Sequence, residues 1–208
     1  MNYPDELRSL CRQLTDIVSE FDLFIVPGGG IFADAVREAH ANFKFPEEIA
    51  HKMAVLATDQ YGLILNSLFY GSSKIIDNIE DAEMCFKKHK IALFQASKMM
   101  RNDNHLPKSW SATSDSIAAY VADLIGAERL ILIKAIDGVI ERNSNKLVFQ
   151  VAINSLNSDM YKECVDEYIP NLLKSSRIQC FIVNGRIQGR VESILRGEKT
   201  VCTEIIYD

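Results

Sequence analysis

Three consecutive glycines, Gly28, Gly29 and Gly30, follow an apolar run from Leu23 to Val26 and lead at once into a segment with helical spacing, Ala33, Val36, Arg37 and His40. The pattern predicts a strand that empties through a glycine turn into a helix N-terminus. Such a turn presents backbone N–H groups and the positive end of a helix dipole to an anion, and the missing Cβ atoms let a phosphate approach the backbone. Ordering three glycines is costly, which favours a bound anion over an empty tight turn. A second group is Ser111, Thr113, Ser114 and Asp115. Its hydroxyl residues suit N-caps for a helix that Ile117, Val121, Leu124 and Ile125 continue. Asp115 reads equally as a functional carboxylate and as a first-turn acid favourable to the helix dipole. The third group, Lys134, Asp137 and Gly138, closes the apolar run 129–135; taken alone, Asp137-Gly138 is an ordinary turn.

Several chemistries are set aside. Gly28, Gly30 and Ala33 fit G-x-G-x-x-A, but a dinucleotide fold also needs an acid about 20 residues on at the end of a second strand. Glu47 and Glu48 have the distance and stand instead at a helix start beside Pro46. No Gly-Lys pair exists to form a P-loop. The five cysteines (Cys11, Cys85, Cys164, Cys180, Cys202) are scattered with no C-x-x-C pair, so reduced thiols are expected and no metal site. A net charge of −5 and a pI near 5.4 argue against a nucleic-acid partner. No signal peptide is read at the start and no run approaches the ~20 apolar residues of a membrane span. The expectation is a cytoplasmic protein.

At 208 residues, 48% hydrophobic and 25% charged, the chain is expected to form one domain over 1–208. Residues 4–20 predict an amphipathic helix carrying Leu7, Leu10, Cys11, Leu14, Ile17 and Val18 on one face. Another helix runs from the glycine turn to about Phe43. A longer one starts at Pro46 and carries Ile49, Met53, Leu56, Ala57, Ile64 and Leu65; it is apolar enough to suggest a subunit interface. Strands are expected at 72–76, 91–95, 129–135, 179–183 and 201–207, and helices at 79–87, 161–175 and 191–195. Residues 97–109 read as a polar loop. Strands separated by helices predict an α/β fold with a mainly parallel sheet.

In order, Val26-Pro-Gly-Gly-Gly, then Thr113-Ser-Asp-Ser-Ile-Ala-Ala, then Gly126-Ala-Glu-Arg-Leu-Ile-Leu-Ile-Lys-Ala-Ile-Asp-Gly-Val resemble the amino acid kinase superfamily, which includes acetylglutamate, aspartate, uridylate and isopentenyl phosphate kinases. His51-Lys-Met-Ala-Val-Leu-Ala-Thr-Asp-Gln-Tyr-Gly, Ser109-Trp110 and Ile182-Val-Asn-Gly-Arg most resemble its compact archaeal branch, which acts in methanofuran synthesis on an (aminomethyl)furan-methyl phosphate. The resemblance implies a three-layer α/β/α sandwich and phosphoryl transfer from ATP with Mg²⁺ to a small phosphate- or carboxylate-bearing acceptor, and the long apolar helix 46–69 points to a homo-oligomer. A uridylate-type kinase and a silent nucleotide- or oxyanion-binding relative are the alternatives. By the same resemblance Gly28, Gly29 and Gly30 hold the acceptor or the transferred group, and Ser111 and Thr113 contact the acceptor. Asp115 orients cations near the phosphates, while Lys134, Asp137 and Gly138 lie on the nucleotide side. His51 is expected to be a packing or acceptor-side residue, and Asp34 and Arg37 to be solvated or to touch the acceptor. The family's opening strand and Lys-x-Gly-Gly-Ser-type loop have no counterpart after Met1. The expectation is therefore a start site further upstream or a missing phosphate-binding cation, worth several orders of magnitude in rate on the scale of one transition-state clamp.

Overall fold

A computed structural model describes residues 3–207; the expectation attached to Met1 lies outside them. The chain divides into two compact units, one of Cys11–Ile117 and the other of Tyr3–Leu10 with the residues from Ala118 onward. Helix α1 (Pro4–Asp16) buries Leu7, Leu10, Cys11 and Leu14, the face that its apolar spacing dictates.

In the first unit, β1 (Phe24–Ile25) runs through Pro27 into α2 (Gly30–Phe43). Helix α2 ends where Lys44 adopts a left-handed conformation and donates its N–H to the His40 carbonyl. Helix α3 (Glu47–Leu68) follows, then β2 (Ser73–Ile76), α4 (Ala82–Phe86), β3 (Ile91–Phe94) and α5 (Ser97–Asn102); α6 (Ser114–Leu124) starts in this unit and has most of its residues in the other. The strands form a parallel sheet of order β1-β3-β2, with Phe24 opposite Ala92 and Ile76 opposite Phe94. All of β3 is buried, as expected of a central parallel strand whose every residue is apolar. Helices α2 and α3 meet through Ala33, Val36 and Ala57, with Phe32, Ala54 and Trp110 packed around them. Small side chains at that seam bring the backbones close.

In the second unit, β4 (Arg129–Lys134) is followed by the hairpin of β5 (Val139–Ile140) and β6 (Leu147–Val148). Then come β7 (Gln150–Ala152), α7 (Ile169–Ser176), β8 (Gln179–Asn184), α8 (Arg190–Leu195) and β9 (Cys202–Ile206). The sheet order is β4-β8-β9-β7; β4–β8 and β7–β9 are parallel and β8–β9 antiparallel. Its core centres on Leu130, Leu132, Ile169, Leu173, Cys180 and Ile182. The architecture is α/β, with mainly parallel pairing and flanking helices.

Two expectations are corrected. Residues 97–109 are not all loop: α5 forms within them, anchored by buried Met100. The helix expected over 161–175 is confined to α7; Tyr161 instead pairs with Glu141 as an antiparallel bridge, and Pro170 sits in the first turn of α7, where a missing N–H costs nothing.

Candidate active site

The glycine turn lies at the carboxyl end of β1, where open α/β sheets place ligands. Its three glycines have different physical reasons to be glycine. Gly30 has φ +50°, and a Cβ there would meet the Tyr61 ring at 2.4 Å. Gly29 precedes the first residue of α2, and a Cβ there would lie 2.4 Å from that of Ala33. Packing therefore accounts for both. Gly28 differs: it is exposed, and a Cβ would have only the Ser114 Oγ near it, at an ordinary 3.6 Å. Nothing in the surrounding protein forbids a side chain at 28, so packing does not account for this glycine as it does for the other two. The N-terminus of α2 has no side-chain cap and no acid in its first turn, which leaves its leading amide donors available to an anion.

Helix α3 holds this turn from below. Tyr61 lies against Gly30, and a Cβ at Gly62 would stand 3.3 Å from the Pro27 ring, so the helix needs its glycine to approach the strand's exit. The same helix pins residues 109–110. His51 is buried and its Nδ1 lies 3.1 Å from the Ser109 carbonyl; because a carbonyl only accepts, Nδ1 carries the proton. Burial pushes the His51 imidazole below its usual value of 6.5, with the Ser109 bond opposing. Glu47 accepts the Trp110 N–H at 2.8 Å. His51 is thus a positioning residue, in line with the packing role expected of it.

Ser111 and Thr113 stand half-buried beside this turn, and Ser111 Oγ lies 2.7 Å from Ser109 Oγ. The Thr113 carbonyl accepts from Ile117 as α6 starts, and Asp115 is buried in the first turn. The structure therefore brings the glycine turn and residues 109–115 together within the first unit, through Gly28 and Ser114. Next to Thr113 opens a cleft of about 290 Å³ lined by Arg37, His40, Ala41 and Trp110 as well. Of these, the sequence reading raised only Arg37 and Thr113 as acceptor contacts. The helical spacing of Arg37 and His40 was visible, but not that Trp110 would return to their face.

In the second unit, Lys134 ends β4 opposite Asn184 of β8. Asp137 lies just beyond and is braced by Asn184 Nδ2 at 3.0 Å and Arg190 Nη1 at 2.5 Å. Those two bonds, Asn184 first, hold its carboxyl below the usual carboxylate range. Gly138 has φ +149°, and a Cβ would collide with Thr203 Oγ1 at 2.3 Å. That hydroxyl accepts the Val139 N–H at 2.8 Å. Gly138 is therefore required by the docking of β9, whatever else it touches. Lys134, Asp137 and Gly138 form one cluster at the carboxyl ends of two parallel strands; Asn184 and Arg190 belong to it and were not foreseen, because only the pairing of β4 with β8 brings them there.

The chain's residues 2–184 match the model of the amino acid kinase family. A [5-(aminomethyl)furan-3-yl]methyl phosphate kinase of Methanocaldococcus jannaschii is 31% identical over 187 residues, spanning 88% of this chain and 83% of its own. A uridylate kinase of the same organism is 26% identical over 156 residues, 74% of this chain and 63% of its own. Among solved structures, the UMP kinase of Ureaplasma parvum superposes with a TM-score of 0.76 at 16% identity, over 99% of this chain and 90% of that one.

Proposed function

Since the chain belongs to the amino acid kinase family, we propose that it is a small-molecule kinase that passes the γ-phosphoryl group of ATP to the phosphate of [5-(aminomethyl)furan-3-yl]methyl phosphate or a close analogue. A phosphate oxygen of the acceptor attacks the γ-phosphorus, the bond to the β,γ-bridging oxygen breaks, and ADP leaves with that electron pair. The product is a diphosphate ester. Little covalent assistance is needed; the protein must align the groups and neutralise charge.

The observation that carries the reading is Gly28, an exposed glycine with room for a side chain beside an uncapped helix N-terminus, in a chain 31% identical to that furan kinase. Gly28, Gly29 and Gly30 would offer N–H donors to the transferred group, and Ser111 and Thr113 would border the acceptor. Lys134, Asp137 and Gly138 would serve the nucleotide side, with Arg190, held by Asp137, as an additional cation there. Mg²⁺, when bound with the nucleotide, would supply charge neutralisation for the transfer. Among the described residues no three His, Cys, Asp or Glu side chains gather as metal ligands. An ion arriving with the nucleotide would keep several of its own waters, with Asp115 as the carboxylate to orient it.

The uridylate reading rests on the 26% relative; the likeness to solved UMP kinases, at 16% identity, speaks to fold. We further take the kinase to be a cytoplasmic homo-oligomer of one domain per chain. Helix α3 leaves Ile49, Met53, Leu56 and Leu63 exposed along one stripe, a surface suited to a second copy. The test is ATP turnover against the furan phosphate, uridylate, acetylglutamate and isopentenyl phosphate. Formation of a diphosphate from the furan phosphate supports the reading; nucleotide binding without turnover of any acceptor overturns it in favour of a silent binding protein.

A further inference from the structure

We propose that the cleft formed by Arg37, His40, Trp110 and Thr113 is the acceptor pocket, and that it selects a phosphate monoester whose phosphate is joined to a single planar ring. The inference rests on the kinase reading above and adds the residues that recognise the acceptor. At about 290 Å³ the cleft lies at the small end of ligand sites, suited to one ring with short substituents.

Its chemistry is asymmetric. The indole Nε1–H of Trp110 donates to His40 Nδ1 at 3.2 Å. An indole N–H can only donate, so His40 is the neutral tautomer with its proton on Nε2, and it presents one donor rather than a charge. His40 is held in place between Phe45, at 5.1 Å centroid distance, and Trp110, at 6.1 Å. The Arg37 guanidinium stands 5.2 Å over the Trp110 ring and donates to Asp34 at 2.9 Å. Both members of that pair are more than half exposed, at 53% and 59%, and such surface pairs contribute little. A phosphate dianion outcompetes one solvated carboxylate for the guanidinium, because charge-assisted, bidentate bonds to phosphate are among the strong ones. Cation, imidazole N–H and flat indole together fit an anion attached to an aromatic ring, the ring against Trp110 and the phosphate at Arg37.

The cleft is also linked to the glycine turn through the start of α6. Thr113 lines it, and the next residue, Ser114, is the neighbour of Gly28. The start of α6 thus joins the cleft to the glycine turn, and an acceptor seated in the cleft would reach toward that turn along Thr113 and Ser114. Residues 109–110 are tethered to α3 beside the cleft, since Glu47 accepts the Trp110 N–H and His51 donates to the Ser109 carbonyl.

Trp110 is the chain's single tryptophan, so its emission reports this cleft directly. The full chain, without ATP, is titrated with furan-2-ylmethyl phosphate, with inorganic phosphate and with furan-2-ylmethanol. The expected result is a saturable change with the ring phosphate, at an affinity at least tenfold above either fragment. Arg37→Gln is expected to weaken the ring phosphate by about ten- to a hundredfold, the loss of a charged hydrogen bond. Trp110→Phe, followed by calorimetry, should retain weakened binding because a ring remains. Equal affinity for inorganic phosphate and the ring phosphate, or unchanged binding in Arg37→Gln with the far-ultraviolet spectrum intact, overturns the pocket. The two readings separate in turnover. An Arg37→Gln enzyme with unaltered KM for the acceptor refutes the pocket and leaves the kinase standing. Ring-phosphate binding at Trp110 in a chain that never turns over refutes the kinase and leaves the pocket.

Discussion

The three glycines of the turn look alike in the sequence and are separated only by what surrounds them. Gly28→Ala places a methyl group 3.6 Å from Ser114, so the melting temperature should stay within a degree or two of the parent while kcat/KM falls at least tenfold. Gly30→Ala should behave in the opposite sense. A left-handed alanine costs about 1–2 kcal/mol, and the Tyr61 ring must also move. A chain of this size then loses roughly 3 °C or more in Tm. Comparable stability losses in both variants would remove the distinction on which the ligand role of Gly28 depends. His51 makes a prediction in pH. Its folded-state value lies below 6.5, so the unfolded chain takes up the proton first and stability rises with pH. The contribution is complete above 6.5 and declines as pH falls below it. Urea midpoints at pH 7.5 and 5.5 should therefore differ more in the parent than in His51→Asn, which keeps a donor for the Ser109 carbonyl; equal differences would show that burial of this imidazole does not matter. Asp137 runs the other way in mechanism, though again toward acid. Its folded value is depressed by Asn184 and Arg190, so its support is present above the ordinary carboxylate pKa of about 4 and is lost as pH falls through the lowered value. Asp137→Asn should flatten the acid limb of unfolding.

At the scale of elements, α3 has two tasks that its sequence shows unequally. One face carries Tyr61 and Gly62 against the glycine turn and His51 and Glu47 against residues 109–110. The other leaves Ile49, Met53, Leu56 and Leu63 in solvent. Sedimentation of the parent should report an oligomer and that of Leu56→Glu a smaller species; a monomeric parent would contradict an interface on this helix. The apolar composition of α3 was plain in the sequence, but which half of it packs inward depends on Pro27 and Gly30 lying beneath it. The strands β1, β3, β4, β8 and β9 were legible because each is an apolar or alternating run with clear ends. The region 139–152 was not, since β5, β6 and β7 have two or three residues each and take their strand character from Thr203 and the partners they meet. Helix α5 was hidden by Lys98, Arg101 and Asn102; its buried apolar anchor is Met100, helped by the Ser97 N–H donating to Asp59 and by Lys98 pairing with Asp77. In the same way, the glycines and Asp115 could be named from order and type, whereas Asn184, Arg190, His40 and Trp110 become candidate site residues only through pairings and contacts of 47 to 70 residues' separation.

For the molecule as a whole, order of motifs proved more informative than any motif alone. The acidic balance of −5 fits a protein whose partners are small and anionic only if binding is local, through helix N-termini, Arg37 and Arg190, not through a basic face. No described helix is long and apolar enough to cross a membrane. Membership of the amino acid kinase family makes the reaction a phosphoryl transfer, and the identity of the acceptor is what remains to be measured. The decisive measurement is phosphorus NMR of the protein with MgATP and [5-(aminomethyl)furan-3-yl]methyl phosphate, run in parallel with uridylate. The account predicts that the furan phosphate signal is replaced by the coupled pair of a diphosphate ester, with ADP formed in equal amount, at least tenfold faster than any uridine diphosphate. Faster conversion of uridylate, or ADP formed with no diphosphate ester, would contradict it.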